Sequence, residues 1–187
     1  MVPKINDEFR EKAAGIRLLA LDVDGILTTG HLLYGPEGEE LKIFNTQDGL
    51  GIKQLMAAGV TVALITGRDS EMTARRAREL NISHVIQGRD DKRVALQTLA
   101  AQLAMPPEHI AYMGDDLVDL SAIQYAGLGV TVPNAHWFVR QHADHCTEAA
   151  GGQGAVRELT DLILLAQNAL ESTLRQYLEP RSEDTGP

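Results

Sequence analysis

Four short groups of polar residues can together do phosphoryl chemistry. They are Asp22-Val23-Asp24-Gly25, Thr66-Gly67-Arg68, Lys92, and Gly114-Asp115-Asp116 followed by Asp119. Carboxylates gathered in one place repel one another unless something neutralises them. A hard divalent cation does so, and Mg²⁺ takes one or two carboxylates, waters and phosphate oxygens. Asp22 and Asp115 are the expected side-chain ligands. Asp22 and Asp24 lie two residues apart, on the same side of an extended segment. Neighbouring carboxylates in different environments can divide nucleophilic and acid–base work. A carboxylate at a metal can attack phosphorus and form an aspartyl-phosphate, and Asp22 is assigned that role. Asp24 is assigned the proton, given to the departing alcohol and then taken from the hydrolytic water. The Thr66 hydroxyl, the Gly67 amide and the Lys92 ammonium are expected to hold the phosphoryl oxygens. Whether Asp116 and Asp119 bind metal or support the site stays open. Each group alone reads as a turn or a helix cap; the chemistry rests on their occurring together.

Those groups meet only if the fold gathers them. Apolar runs at 18–21, 60–65, 84–86, 110–113 and 128–132 read as buried strands, continuous rather than alternating, as in a parallel sheet. Helical patterns at 50–58, 70–80, 92–104, 117–126 and 135–142 lie between them, several ending at Gly or Pro. The expected fold class is α/β, a Rossmann-like parallel sheet with helices on both faces. A β-hairpin flap over 31–44, with strands at 31–34 and 40–44 around a Gly-Pro-Glu-Gly-Glu turn, is inserted after the first strand, and no separate cap domain fits. After a glycine-rich, flexible segment at 151–154 comes a long amphipathic helix at 156–178 and a polar tail. In open parallel sheets ligands bind beyond the carboxyl ends of the strands. All four polar groups fall there.

The 187 residues suit one domain, with 1–15 as an N-terminal extension and 151–187 as a C-terminal appendage. Apolar residues at 44% and charged residues at 23% exclude general disorder. A net charge of -9 argues against nucleic-acid and membrane-surface partners. The single cysteine, Cys146, cannot form an internal disulfide. No apolar run spans a bilayer and the N-terminus has no secretory pattern, so the expectation is a soluble, cytoplasmic protein. The histidines lack zinc-site spacing, although His142 and His145 are three apart. Trp137 and Phe138 read as packing residues, and Met56, Met72, Met105 and Met113 as core.

The four groups, in this order, resemble the motifs of the haloacid dehalogenase-type phosphatase superfamily, matched by Asp22-Val23-Asp24-Gly25, Thr66, Lys92 and 114–119. The likeness covers about 18–165. The runs 38–45, Asp48-Gly49, 65–68, Gln87-Gly88 and 151–158 resemble the branch that acts on an eight-carbon sugar-acid 8-phosphate on the path to lipopolysaccharide. This resemblance implies a Mg²⁺-dependent hydrolase with the metal on Asp22, the Asp24 backbone carbonyl and Asp115. It implies substrate contacts at Asp24, Asn45, Thr46, Gln47, Asp48, Gly49, Lys53, Gly67, Arg68, Arg76 and Lys92. Lys53 stands where the family pattern has Arg, which keeps the charge but not the bidentate fork.

Arg68 and Arg76, eight apart on one helical pattern, could share a face and meet an anionic sugar. The alternative for Arg76 is a solvated face with Arg75 and Arg78, paired to Glu71 and Glu79. Without a cap, water must be excluded by other means. Neighbouring subunits are expected to do this, in the homotetramer that the resemblance implies, with hairpins packed together and the glycine-rich tail reaching a neighbour's site. Alternatively the glycines only let the chain turn back to dock its last helix. The rival from another class is a phospho-acceptor receiver module, whose acceptor Asp ends strand three; here strand three ends at Ile86-Gln87-Gly88. Two further rivals are a phosphatase for a nine-carbon sialic-type acid and a domain that binds without turnover.

Overall fold

The computed structural model describes residues 5–36 and 40–178. Residues 37–39 of the expected Gly-Pro-Glu-Gly-Glu turn and the expected polar tail from Glu179 lie outside the described residues. Helix α1 (Asp7–Ala14) opens the chain, where the sequence reads only as an extension; the Asn6 side chain accepts the Phe9 N–H at 2.7 Å and caps it. Strand β1 (Leu18–Leu21) leads to a short antiparallel hairpin, β2 (Leu33–Tyr34) and β3 (Glu40–Leu41). Next come α2 (Thr46–Ala57), β4 (Thr61–Ile65), α3 (Glu71–Leu80), β5 (His84–Ile86) and α4 (Lys92–Gln102). After them come β6 (Ile110–Met113), α5 (Leu120–Ile123), β7 (Leu128–Thr131), α6 (Trp137–His142), β8 (His145–Cys146), α7 (Ala155–Ala166) and α8 (Leu170–Arg175). Six strands form one parallel sheet in the order β5-β4-β1-β6-β7-β8. This is the expected α/β fold, with β8 as an additional edge strand too short and polar to carry a sequence signal.

Alternation along the strands divides the core. Leu19 and Leu21, with Val62, Leu64, Ala111 and Met113, pack against residues of α1, α2, α3 and α7. Leu18 and Ala20, with Ala63, Ile65, Ile110 and Tyr112, pack against residues of α4, α5 and α6. β1 is wholly buried, and each of its three leucines contributes about 1.5–3 kcal/mol relative to exposure. The ends of these central strands are therefore rigid mounts for the loops they carry.

Several boundaries differ from the sequence reading. α2 begins at Thr46 rather than at 50, because the Asn45 side chain accepts the Gln47 N–H at 2.8 Å. Its glycines are not breakers: a Cβ on Gly51 would fall on Thr160 and lie 3.2 Å from the Arg157 backbone, so α2 meets α7 through a position that needs Gly. The expected helix at 117–126 is a 3₁₀ turn (Leu117–Asp119) followed by α5. The expected long helix at 156–178 is two helices, broken at Asn168, which takes a left-handed φ of 57° after α7. Trp137 and Phe138 are exposed, not packed in the core; Met113 is buried, while Met56, Met72 and Met105 are half-buried.

The glycine-rich segment is seated rather than loose. Gly151 N–H donates to Asn134 Oδ1 at 3.0 Å, and Gly152 N–H donates to the Ile26 carbonyl at 2.8 Å. A Cβ on Gly151 would fall on the Gly25 carbonyl. These glycines let the chain turn against the loop after β1 and start α7. Asp48 secures the same junction. It is buried, and its Oδ1 accepts the Arg157 N–H at 2.8 Å, at the start of α7. Burial raises its pKa, and the backbone donors of Arg157, Gly154 and Val156 pull the other way. Replacing Asp48 by Ala leaves those donors without their acceptor. Asp48→Ala is expected to lower the unfolding free energy by about 1–3 kcal/mol, read as the denaturant midpoint; an unchanged midpoint would contradict this docking role.

Candidate active site

The register of the sheet brings the four groups to one edge. Leu21 pairs with Leu64 on one side and Met113 on the other, so Asp22, Thr66 and Asp115 all lie just past adjacent strands β1, β4 and β6 at their carboxyl ends. Asp22 N–H continues the ladder to the Met113 carbonyl at 3.0 Å. Gly25 then turns with a φ of 98°, and a Cβ there would fall on the Asp115 carboxylate. Only Gly lets the two loops approach so closely.

Asp22, Asp115 and Asp119 each offer an oxygen, and these oxygens lie within 4.8 Å of one another. One buried ammonium answers them. Lys92 Nζ, at the start of α4, donates to Asp22 Oδ1 and to Asp119 Oδ1, both at 2.7 Å. Asp119 has no exposed surface and is saturated: Oδ1 also accepts the Tyr112 hydroxyl at 2.7 Å, and Oδ2 accepts the Asp115 and Asp116 N–H groups at 3.1 Å. Asp119 therefore supports the site by aiming Lys92 and pinning the Asp115 loop. Asp116 is exposed, and its carboxylate caps the 3₁₀ turn through the Leu117 N–H at 2.8 Å.

Asp22 and Asp115 remain electrostatically unsettled. Burial, then the Asp119 charge, push the Asp22 pKa up to about 8 against the pull of Lys92. Burial, then Asp119 and Asp116, push Asp115 up to about 7. Asp115 Oδ1 is buried with no hydrogen-bond donor. An orphaned carboxylate oxygen facing a second carboxylate, with hard oxygen donors throughout, fits a divalent cation. Burial is the largest influence on Lys92 and lowers its pKa, but Asp22 and Asp119 outweigh it, so the net shift is upward and the ammonium persists.

Thr66 is buried at the end of β4, and its Oγ1 accepts the Arg68 N–H at 3.4 Å. A Cβ on Gly67 would fall on the Asp90 carboxylate, so this loop lies tight against the one that launches Lys92. Arg68 precedes the Ser70 cap of α3 and is not helical, so the expected shared face with Arg76 does not form. Arg68 Nε lies 3.8 Å from Asp24 Oδ2. Arg76 Nη2 donates to the Asn45 carbonyl at 3.3 Å, and Gly49 makes room for it against α2. Arg75 and Arg78 pair with Glu79 and Glu71, as the solvated-face alternative had it, and Arg76 also reaches Glu79 at 3.5 Å. Lys42, Phe44, Met72, Arg75, Arg76 and Glu79 line an open cavity of about 280 Å³ beside the flap.

Of the remaining expected contacts, Asn45 caps α2, Thr46 and Gln47 are exposed in its first turn, and Asp48 caps α7. Lys53 is exposed and lines a separate groove between α2 and α8 with Ser172, Thr173, Gln176 and Tyr177. Sequence reasoning missed Lys42, which donates to Asp24 Oδ1 at 2.5 Å. A lone Lys on a hairpin carries no spacing signal. Asp119→Ala leaves Lys92 and the Tyr112 hydroxyl facing an empty buried position. Lys92 keeps Asp22 as its partner and the Asp119 repulsion is relieved, so the expected cost is that of the orphaned hydroxyl and amides, about 1–3 kcal/mol in unfolding free energy; an unchanged or raised stability would contradict the supporting role.

Known proteins share this fold and much of this sequence. Residues 83–159 match a family described as haloacid dehalogenase-like hydrolase. The chain is 47% identical over 167 residues to a curated 3-deoxy-D-manno-octulosonate 8-phosphate phosphatase of Yersinia pestis, covering 89% of each. It superposes on the crystal structure of the phosphatase of that name from Moraxella catarrhalis, in complex with magnesium ion, phosphate ion and the sugar acid, with a TM-score of 0.91 and 48% identity over 92% of this chain and 99% of that one. A cobalt-bound form of the Haemophilus influenzae phosphatase gives a TM-score of 0.86 at 40% identity, over 90% of this chain and 99% of that one.

Proposed function

The chain belongs to the haloacid dehalogenase-like hydrolases, in the family of the 3-deoxy-D-manno-octulosonate 8-phosphate phosphatases, and from that premise we propose that it hydrolyses 3-deoxy-D-manno-octulosonate 8-phosphate to the free sugar acid and phosphate, in lipopolysaccharide biosynthesis. It is a phosphatase. The observation that carries the reading is the carboxylate cluster at the sheet edge, with Asp22 and Asp115 left underneutralised. A receiver module would need its acceptor Asp at the end of β5, where Gln87 stands.

Asp22, Asp115 and the Asp24 backbone carbonyl would hold Mg²⁺, which when bound neutralises carboxylates and phosphoryl oxygens alike. The Asp22 carboxylate attacks phosphorus, and the bond from phosphorus to the sugar oxygen breaks with its electron pair on that oxygen. Asp24 gives the oxygen a proton. Water then attacks the aspartyl-phosphate while Asp24 takes its proton, and phosphate leaves with Asp22 restored. Lys92, the Thr66 hydroxyl and the Gly67 N–H hold the transferring oxygens. Arg68 and Arg76, near Asp24 and the α2 start, offer charge for the sugar acid. Asn45, Thr46, Gln47, Gly49 and Lys53 complete the substrate contacts we propose; Lys53, which lines the separate α2–α8 groove, would reach the sugar acid only from another chain.

Leu33, Tyr34, Leu41 and Ile43 expose apolar surface on the flap. That supports packing of flaps between chains, in the homotetramer we propose; the cytoplasmic placement we propose rests on the family reading alone. No helix among the described residues is long and apolar enough to cross a membrane.

The test is phosphate release from a panel holding this sugar phosphate and a nine-carbon sialic-type acid 9-phosphate. Release is expected with Mg²⁺, is expected to stop with EDTA, and is expected to fall at least about 10³-fold in Asp22→Asn while the circular dichroism spectrum is unchanged. EDTA-resistant release, or retained activity in Asp22→Asn, would contradict the mechanism. Preference for the nine-carbon substrate would reassign the sugar.

A further inference from the structure

The flap grips the catalytic acid from two sides. Lys42, just past β3, places Nζ 2.5 Å from Asp24 Oδ1; the Lys42 side chain is 1% exposed and that of Asp24 18%. On the other side Arg68 Nε lies 3.8 Å from Asp24 Oδ2, and Arg68 Nη2 donates to the Tyr34 hydroxyl at 2.9 Å. Tyr34 belongs to β2. The β2 strand thus reaches Asp24 through Arg68, and the segment after β3 reaches it directly. Asp24 Oδ2 is shielded from solvent and makes no hydrogen bond. One oxygen is clamped, and the other remains to hold or take a proton. Fixing a long Lys side chain costs rotamer entropy, so a lysine that is almost fully enclosed marks a contact with a positional task.

We propose that Lys42 is a positioning residue for Asp24. It holds Oδ1 so that Oδ2 meets the leaving oxygen, and it makes acid catalysis depend on the flap being seated. The inference rests on the phosphatase reading above. In the first step the Asp22 oxygen bonds to phosphorus, the sugar oxygen–phosphorus bond breaks, and the proton on Asp24 moves to the departing oxygen. A sugar alkoxide needs that proton. A nitrophenolate leaves without it, so its transfer is nearly indifferent to where Asp24 points.

The experiment measures kcat/KM, which covers binding through departure of the alcohol, for the full chain with Mg²⁺. The substrates are 3-deoxy-D-manno-octulosonate 8-phosphate and p-nitrophenyl phosphate. Lys42→Met is expected to lose about 10–100-fold on the sugar phosphate and less than about threefold on the aryl phosphate. Lys42→Arg, which keeps the charge, is expected to recover most of the loss. Tyr34→Phe, which releases Arg68, is expected to show the same selectivity at smaller size, and it serves if Lys42→Met fails to fold by circular dichroism. Equal losses on both substrates, or no loss, would overturn the inference. So would a raised KM with unchanged kcat, which would make Lys42 a substrate contact. Wild-type chain that releases phosphate from neither compound would overturn the phosphatase reading and this inference together. Wild type active on both, with variants that do not discriminate, would overturn only the role of Lys42.

Discussion

Mutual repulsion among buried carboxylates is the constraint to which the rest of the structure answers. Asp22, Asp115 and Asp119 crowd one edge of the sheet, and the protein sets one buried ammonium, Lys92, against them. Asp119 spends its charge on Lys92, the Tyr112 hydroxyl and two backbone amides. That arrangement settles one carboxylate and orients the lysine. It leaves Asp22 and Asp115 resisting ionisation, with pKa values raised to about 8 and about 7 by burial first. Such a site is poised for a cation: each carboxyl becomes a good anion only when positive charge arrives beside it.

Holding the cluster together requires close backbone approach, and glycines supply it at the decisive points. Gly25 admits the Asp115 carboxylate, and Gly151 admits the Gly25 carbonyl. The start of α7 is thereby locked to the loop after β1 that carries Asp22. Asp48 adds a second lock between α2 and α7. The core on both sheet faces keeps β1, β4 and β6 in register, so the clustered groups sit on rigid mounts, and the hairpin region meets Asp24 through Lys42 and Arg68 through Tyr34.

Much of this was legible in the sequence. Buried strands such as Leu18–Leu21 and Ile110–Met113 show unbroken apolar runs, and they alternate with helical periods, which implies the parallel sheet. Asp22, Lys92 and Asp115 could be placed together because each ends a strand or opens the next helix. Some short or polar elements were silent, although the two-residue strands of the hairpin were marked by the turn between them. β8 has two residues, and α1 buries mainly Phe9 and Ala13. The break at Asn168 hides inside a continuous apolar period, because its cause is a left-handed backbone that periodicity does not report. Roles set by long-range partners were also hidden. Asp48 and Asp119 look like any acidic residue until Arg157, Tyr112 and Lys92 are seen around them. Arg68 reads as helical by spacing, but the Ser70 cap starts α3 after it.

The central claim is that Asp22 and Asp115 are held together, short of positive charge, to share one divalent cation. Isothermal titration of the metal-free chain with Mg²⁺ tests it most directly, with Asp115→Asn as the comparison. The account predicts one Mg²⁺ bound per wild-type chain, with proton release, and binding weakened at least about 100-fold in Asp115→Asn. Wild-type chain that takes up no Mg²⁺, or Asp115→Asn that binds it as well as wild type does, would contradict it.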